Sequence, residues 1–152
     1  IHRKNSNLEA VKKVFSYYSS DFEQLFDSIT WITADITDIP ALNIAFKGIT
    51  KVYHSAALIS FSSADYRIMR QINIEGTANI VNLCISNQIQ KLCFVSSVAA
   101  VGKPLTGKNI DENNEWNVAD NNYGYAITKY GAEIEIWRAG QEGADEKLVV
   151  QP

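Results

Sequence analysis

Lys51-Val-Tyr-His-Ser-Ala-Ala57 decides the fold. It reads as a β-strand that ends in small residues. After the loop Ser60-Phe-Ser-Ser-Ala64 comes a long helical pattern carrying Ile68, Met69, Ile72, Ile80, Val81, Leu83 and Cys84. Lys91-Leu-Cys-Phe-Val-Ser96 is then a second strand of the same kind. Strand, helix and strand in that order predict a parallel pair joined by a helical crossover. Gly76 lies in the middle of the helical pattern, where it costs about 1 kcal/mol against alanine. It therefore predicts close packing against a sheet or a ligand.

Toward the N-terminus, residues 1–4 read as the tail of a strand. Ser6 with Glu9 reads as a capping box for a helix bearing Leu8, Val11, Val14, Phe15 and Tyr18. Ser19-Ser20-Asp21 interrupt it, and Phe22, Leu25 and Phe26 predict another helical turn or two. Ile29-Thr-Trp-Ile-Thr-Ala34 is β-branched and aromatic, hence a strand. It runs into Asp35, and Pro40 opens a short helix, Ala41 to Phe46, stopped by Gly48. Toward the C-terminus, Ser97–Gly102 leaves the second strand and residues 103–122 form a long polar loop, a length that suits a functional segment. A helix from about Tyr123 to Gly140 and a strand at Lys147-Leu-Val-Val150 complete the chain. The expected architecture is one α/β domain, residues 1–152, built on a parallel sheet.

Composition narrows the function. The 152 residues are 46% hydrophobic and 20% charged, with a net charge of −3. That argues against a nucleic-acid-binding basic domain, and no run of Lys and Arg forms a polybasic membrane patch. No apolar run approaches the ~20 residues that span a bilayer, and Ile1-His-Arg-Lys lacks the apolar segment of a signal peptide. Cys84 and Cys93 sit in apolar contexts and read as reduced core thiols, without the Cys/His spacing of a metal site. A cytoplasmic setting is expected. The chain opens on Ile1 without a methionine and closes on Gln151-Pro152 directly after a strand-like run, so it reads as a segment of a longer protein.

The chemistry is expected in Tyr123-Gly-Tyr-Ala-Ile-Thr-Lys-Tyr-Gly-Ala-Glu133. On a helix, Tyr125 and Lys129 stand on one face, one turn apart. A fixed ammonium beside a phenol favours the phenolate, which makes the pair a candidate acid/base. In a parallel α/β sheet, ligands gather at the carboxyl ends of the strands. Asp35, Ala56-Ala57 and Ser96-Ser97 all fall at such ends. Asp35 is read as a candidate ligand contact that could also cap the following helix. Asn73 is either a ligand contact or a tie between neighbouring strands, and His54, inside a strand, is read as making a structural hydrogen bond.

Taken together these residues resemble the extended short-chain dehydrogenase/reductase family, the NAD-dependent epimerase/dehydratase group, over nearly the whole chain. Asp35-Ile36 resembles the family's acidic pair after strand three, which reads the adenine. Val52-Tyr-His-Ser-Ala-Ala57 resembles its V-x-H-x-A-A strand, whose Ser55, Ala56 and Ala57 let the cofactor approach the backbone. Asn73-Ile-Glu-Gly-Thr77 resembles N-x-x-G-T, Phe94–Gly102 resembles the strand-five motif that puts the catalytic hydroxyl on Ser97, and Tyr125-Ala-Ile-Thr-Lys129 resembles the Y-x-x-x-K site. His54 and Trp137-Arg138 are similar to the dihydroflavonol-reductase-like and 3β-hydroxysteroid-dehydrogenase-like branches.

The resemblance implies a Rossmann-like doubly wound fold and hydride transfer between a nicotinamide and a carbinol or ketone of a small-molecule substrate. Ser97, Tyr125 and Lys129 would be catalytic. Arg3, Asp35, Ile36, Ser55, Ala56, Ala57, Asn73 and Lys129 would bind cofactor. The basic Arg3 and Lys4 follow the family's second strand and favour NADP over NAD. Relatives pair through helices corresponding to 64–86 and 123–140, which implies a homodimer. The family's first strand, its glycine-rich turn and its C-terminal substrate lobe have no counterpart here. The strand at 29–34 is therefore expected to lack a neighbour and the strand at 51–57 to keep one open edge. The 152 residues are expected not to form an autonomous enzyme. The competing readings are a nucleotide-sensing module without chemistry and an inactive fragment.

Overall fold

The computed structural model describes residues 1–104, 109–111, 113–117, 123–144 and 148–151. Helices α1 (Leu8–Ser16), α2 (Phe22–Asp27) and α3 (Ile39–Ala45) precede strand β1 (Lys51–His54). A 3-10 turn (Ser63–Asp65), helix α4 (Tyr66–Arg70), a π-turn (Gln71–Glu75) and helix α5 (Gly76–Ser86) form the continuous crossover to β2 (Lys91–Val95). A 3-10 turn at Val98–Ala100, helix α6 (Gly124–Ala139), a π-turn at Gly140–Ala144 and β3 (Leu148–Gln151) follow. Of the expected loop 103–122, residues 105–108, 112 and 118–122 lie outside the described residues, as does Lys147.

The three strands form one parallel sheet in the order β1-β2-β3, with Val52 opposite Leu92 and His54 opposite Phe94. Alternation along each strand puts Val52, His54, Leu92 and Phe94 on one face. That face packs on Leu42 of α3 and Phe46 at its C-terminal end, on Ile80, Val81, Leu83 and Cys84 of α5, and on Ala132, Ile136 and Ala139 of α6. Val81 and Ile136 are wholly buried there. The opposite face carries Tyr53, 77% exposed, and Val95, 43% exposed.

Four local expectations are corrected. The cap of α1 is Asn7, whose Oδ1 accepts from Ala10 N at 3.2 Å; Ser6 instead accepts from Arg3 N at 3.1 Å. The cap of α3 is Asp38, accepting from Ala41 N at 3.1 Å, so Asp35 is not the cap. Residues 29–34 do not form a strand. They make a single parallel bridge, Thr33 to His2, closed by His2 N–Ile32 O and Ala34 N–His2 O, both 3.0 Å. A strand needs a ladder, and this segment meets only one partner residue. Between it and β1 lies a trench of about 310 Å³, lined in part by Thr30, Ile32, Val52, Tyr53 and Ile80. Among the described residues β1 is thus paired along one edge only. Strand β1 also ends at His54, so Ser55, Ala56 and Ala57 leave the sheet.

Gly76 opens α5 directly after the π-turn. A Cβ there would lie 2.9 Å from Cγ2 of Ile36, closer than real contacts allow. The glycine is required by packing against the segment after residue 34. Among the described residues no helix is long and apolar enough to cross a membrane.

Candidate active site

Two clusters of side chains meet at the carboxyl ends of β1 and β2. The first is a cleft of about 260 Å³ lined by Arg3, Asp35, Ile36, Ala56 and Ala57, with Leu58 and Ile72 beside them. Asp35 is fixed from within its own turn, since its Oδ1 accepts from Thr37 N at 2.9 Å and from Thr37 Oγ1 at 2.6 Å. Those two bonds hold its carboxyl below the usual range, with the Arg3 charge adding to them and partial burial opposing. Asp35 therefore presents a carboxylate acceptor at neutral pH. Ile36 is buried, and its carbonyl is held by Asn79 Nδ2 at 3.1 Å. Ala56 and Ala57 present only methyl groups, so a ligand can approach the backbone. Arg3 and Asp35 also border a second hollow of about 450 Å³, together with Lys4. Ser55 lines the trench between residues 29–34 and β1, where Ala56 joins it.

The second cluster lies where β2 meets α6. Lys129 is only 2% exposed. Its Nζ donates to Val95 O at 2.9 Å and stands 4.3 Å from the centre of the Phe94 ring. Burial draws its pKa down to about 8 while the Glu133 carboxylate acts in the opposite direction. Lys129 is thus still mainly charged at pH 7. Ser96 and Ser97, adjacent in sequence, point to different partners. Ser96 Oγ donates to Oε1 of Glu133. Ser97 caps the 3-10 turn, its Oγ accepting from Ala99 N at 3.2 Å. An accepting hydroxyl keeps its own proton for a further donor bond. Tyr125 sits in the first turn of α6, half-buried, its ring 6.3 Å from that of Tyr123, which in turn lies 5.6 Å from Phe61.

A buried hydrogen-bond chain joins the two clusters. Asn73 accepts from Leu58 N at 2.7 Å and donates from Nδ2 to Leu58 O at 2.9 Å and to Thr128 Oγ1 at 3.0 Å. Thr128 donates to Tyr125 O at 2.9 Å. Both protons and the oxygen of the Asn73 amide are engaged, so the residue ties the cleft wall at Leu58 to the turn that carries Tyr125 and Lys129. Thr77 donates to Asn73 O at 2.6 Å and meets His54 Nε2 at 2.9 Å. A hydroxyl has one proton, so His54 must donate from Nε2. Burial, with the Lys129 charge adding to it, lowers the His54 pKa to about 4 and keeps the ring neutral.

Sequence reasoning passed over Glu133, Thr77, Thr128 and Phe61. Glu133 had a readable signal, standing one helical turn after Lys129 on the same face. Thr77 closes the N-x-x-G-T motif, but its contact with His54, like that of Thr128 with Asn73, joins elements that spacing does not connect.

The model of the 3-beta hydroxysteroid dehydrogenase/isomerase family matches residues 3–146. The anthocyanidin reductase of Arabidopsis thaliana is 31% identical over 130 residues, covering 78% of this chain and 38% of the relative. The Thermus thermophilus UDP-glucose 4-epimerase, solved in complex with NAD, is 25% identical, with a TM-score of 0.66 over 75% of this chain and 37% of its own. A short-chain dehydrogenase/reductase superfamily protein from Agrobacterium tumefaciens with bound NAD is 23% identical, with a TM-score of 0.65 over 78% of this chain and 35% of its own. The chain spans little more than a third of the length of these proteins. The α/β, Rossmann-like fold expected from the sequence is the fold of these solved neighbours.

Proposed function

The chain belongs to the 3-beta hydroxysteroid dehydrogenase/isomerase family, and from that premise we propose that it carries the dinucleotide subsite and the proton-transfer residues of an NAD(P)-dependent oxidoreductase or epimerase/dehydratase. The observation behind this reading is the convergence of Arg3, Asp35, Ile36, Ala56 and Ala57 on one cleft. Dispersed in sequence, they meet at a cavity tied by Asn73 to the turn of Tyr125 and Lys129.

The cleft's chemistry fits a dinucleotide. Asp35 offers an ionised acceptor for hydroxyl or amino donors, Ile36 an apolar wall for a base, and Ala56-Ala57 an uncluttered backbone. Arg3 supplies positive charge at the rim, with Lys4 nearby, which favours a phosphorylated ribose and hence NADP. When bound, the nicotinamide gives or takes the hydride. Tyr125 holds the proton exchanged with the substrate oxygen, donating it in reduction and accepting it in oxidation. Lys129, buried and charged, stabilises negative charge on the Tyr125 oxygen and has N–H donors beyond the one on Val95 for the cofactor ribose. Ser97, its oxygen oriented by Ala99 N, donates to the same substrate oxygen.

Tyr125→Phe tests the assignment. It removes the exchanged proton and keeps the ring, so turnover falls by about 100-fold or more while cofactor affinity holds. Unchanged turnover would remove Tyr125 from the mechanism. A parent protein that binds dinucleotide but turns over no carbinol or ketone would instead be a nucleotide sensor.

A further inference from the structure

We propose that Glu133 is a positioning residue for this site: its carboxylate keeps the buried Lys129 ammonium charged and, through Ser96, fastens the end of β2 to α6. The catalytic consequence rests on the function proposed above; the physical pairing does not.

Three observations carry it. Lys129 is 2% exposed, and a charge so far from water needs compensation. What β2 offers it is neutral, the Val95 carbonyl at 2.9 Å and the Phe94 ring at 4.3 Å. Glu133 stands one turn further along α6, half-buried, and accepts the Ser96 hydroxyl proton. Consecutive residues of the strand end are therefore gripped by consecutive turns of the helix, Val95 by Lys129 and Ser96 by Glu133. Ser97 is the next residue, so the clamp sets where its hydroxyl emerges.

The other titratable groups around Lys129 do not provide the compensating charge. From β1, His54 is buried and neutral, and if protonated it would repel the ammonium. From α6, Tyr125, one turn before it, carries a hydroxyl and not a carboxylate. Burial pulls the Lys129 pKa down to about 8 and Glu133 opposes that pull. With Glu133 uncharged, the ammonium loses its proton at lower pH.

The test is the titration of Lys129 Nζ by lysine-selective NMR. Burial should place the parent midpoint near 8. Glu133→Gln keeps the shape and an acceptor for Ser96 but no charge, and lowers the midpoint by about one pH unit. Glu133→Asp keeps the charge and returns it toward the parent value. Ser96→Ala leaves the midpoint in place, because the charge remains. An unmoved midpoint in Glu133→Gln overturns the proposal, as does an equal shift in Ser96→Ala.

The parent alone gives a second reading that needs no substitution to fold. The Glu133 side-chain carboxyl carbon must respond as Lys129 loses its proton, and a flat trace overturns the pairing. In turnover, the alkaline limb of kcat/KM moves down with the Glu133→Gln midpoint. A shifted midpoint with no turnover in any variant supports the pairing while refuting the proposed reaction.

Discussion

Replacing Gly76 by alanine sets two effects of known sign against each other. Gly76 lies within a continuous helical run, so alanine should gain about 1 kcal/mol of helix propensity. The new Cβ would stand 2.9, 3.1 and 3.2 Å from Cγ2, Cγ1 and Cδ1 of Ile36. Carbon atoms pack at about 3.5–4.0 Å, so the nearest pair overlaps by about 0.6 Å. Ile36 has little room to retreat. It is β-branched, 8% exposed, and its carbonyl is pinned by Asn79. Overpacking of this kind costs about 1–3 kcal/mol. The sum predicts that Gly76→Ala destabilises the fold by about 1 kcal/mol despite the better helix former.

The assay is urea unfolding followed by circular dichroism, run as a cycle with Ile36→Ala. That second change removes all three clashing atoms and alone costs about 2–5 kcal/mol. In the Gly76→Ala background it should cost about 1–2 kcal/mol less, because the new methyl group occupies part of the space. A Gly76→Ala protein more stable than the parent would refute the reasoning, and so would strict additivity in the cycle.

Two further predictions rest on other contacts. Burial lowers the Lys129 pKa to about 8 from 10.5. The unfolded chain holds this proton to higher pH than the folded one, so this group makes stability rise with pH between those values, by at most about 3 kcal/mol, and below the lower value its full penalty remains. Lys129→Met should abolish that rise, as seen by subtracting the urea stability profiles of parent and variant; identical profiles would show that the ammonium is solvated. Gly102→Ala places a Cβ 1.8 Å from the Glu115 carbonyl oxygen and must displace the backbone of residues 113–117. The Trp116–Tyr130 stack, with centroids 4.4 Å apart, should separate, with loss of near-UV dichroism and about 1–3 kcal/mol of stability, whereas an unchanged spectrum would contradict the contact.

Much of this architecture was legible because local and global signals agree. Val52, Leu92 and Phe94 sit in short apolar runs separated by a helical period, which admits a parallel sheet and little else. Asp35, Ala56 and Ala57 stood out because they directly follow such runs, at the carboxyl ends where ligands gather in a parallel α/β sheet. The failures turned on backbone geometry and partners that spacing does not reveal. Ile29–Ala34 has the composition of a strand, but pairing makes a strand and only His2 meets it. Asn7 and Ser6 are both good caps, and the backbone turn chose between them. The π-turn at Gln71–Glu75 leaves the apolar spacing almost unchanged. Asn73, expected either at the ligand or as a tie between strands, is engaged between the cleft wall and α6, a role no spacing could reveal.

The claim that the cleft of Arg3, Asp35, Ile36, Ala56 and Ala57 holds a dinucleotide is tested most directly by titrating the protein with NADPH and NADH and following nicotinamide fluorescence. The account predicts saturable binding that Ala57→Leu weakens for both ligands and Arg3→Ala weakens selectively for NADPH. Absence of saturable binding, or binding indifferent to Ala57→Leu, would contradict it.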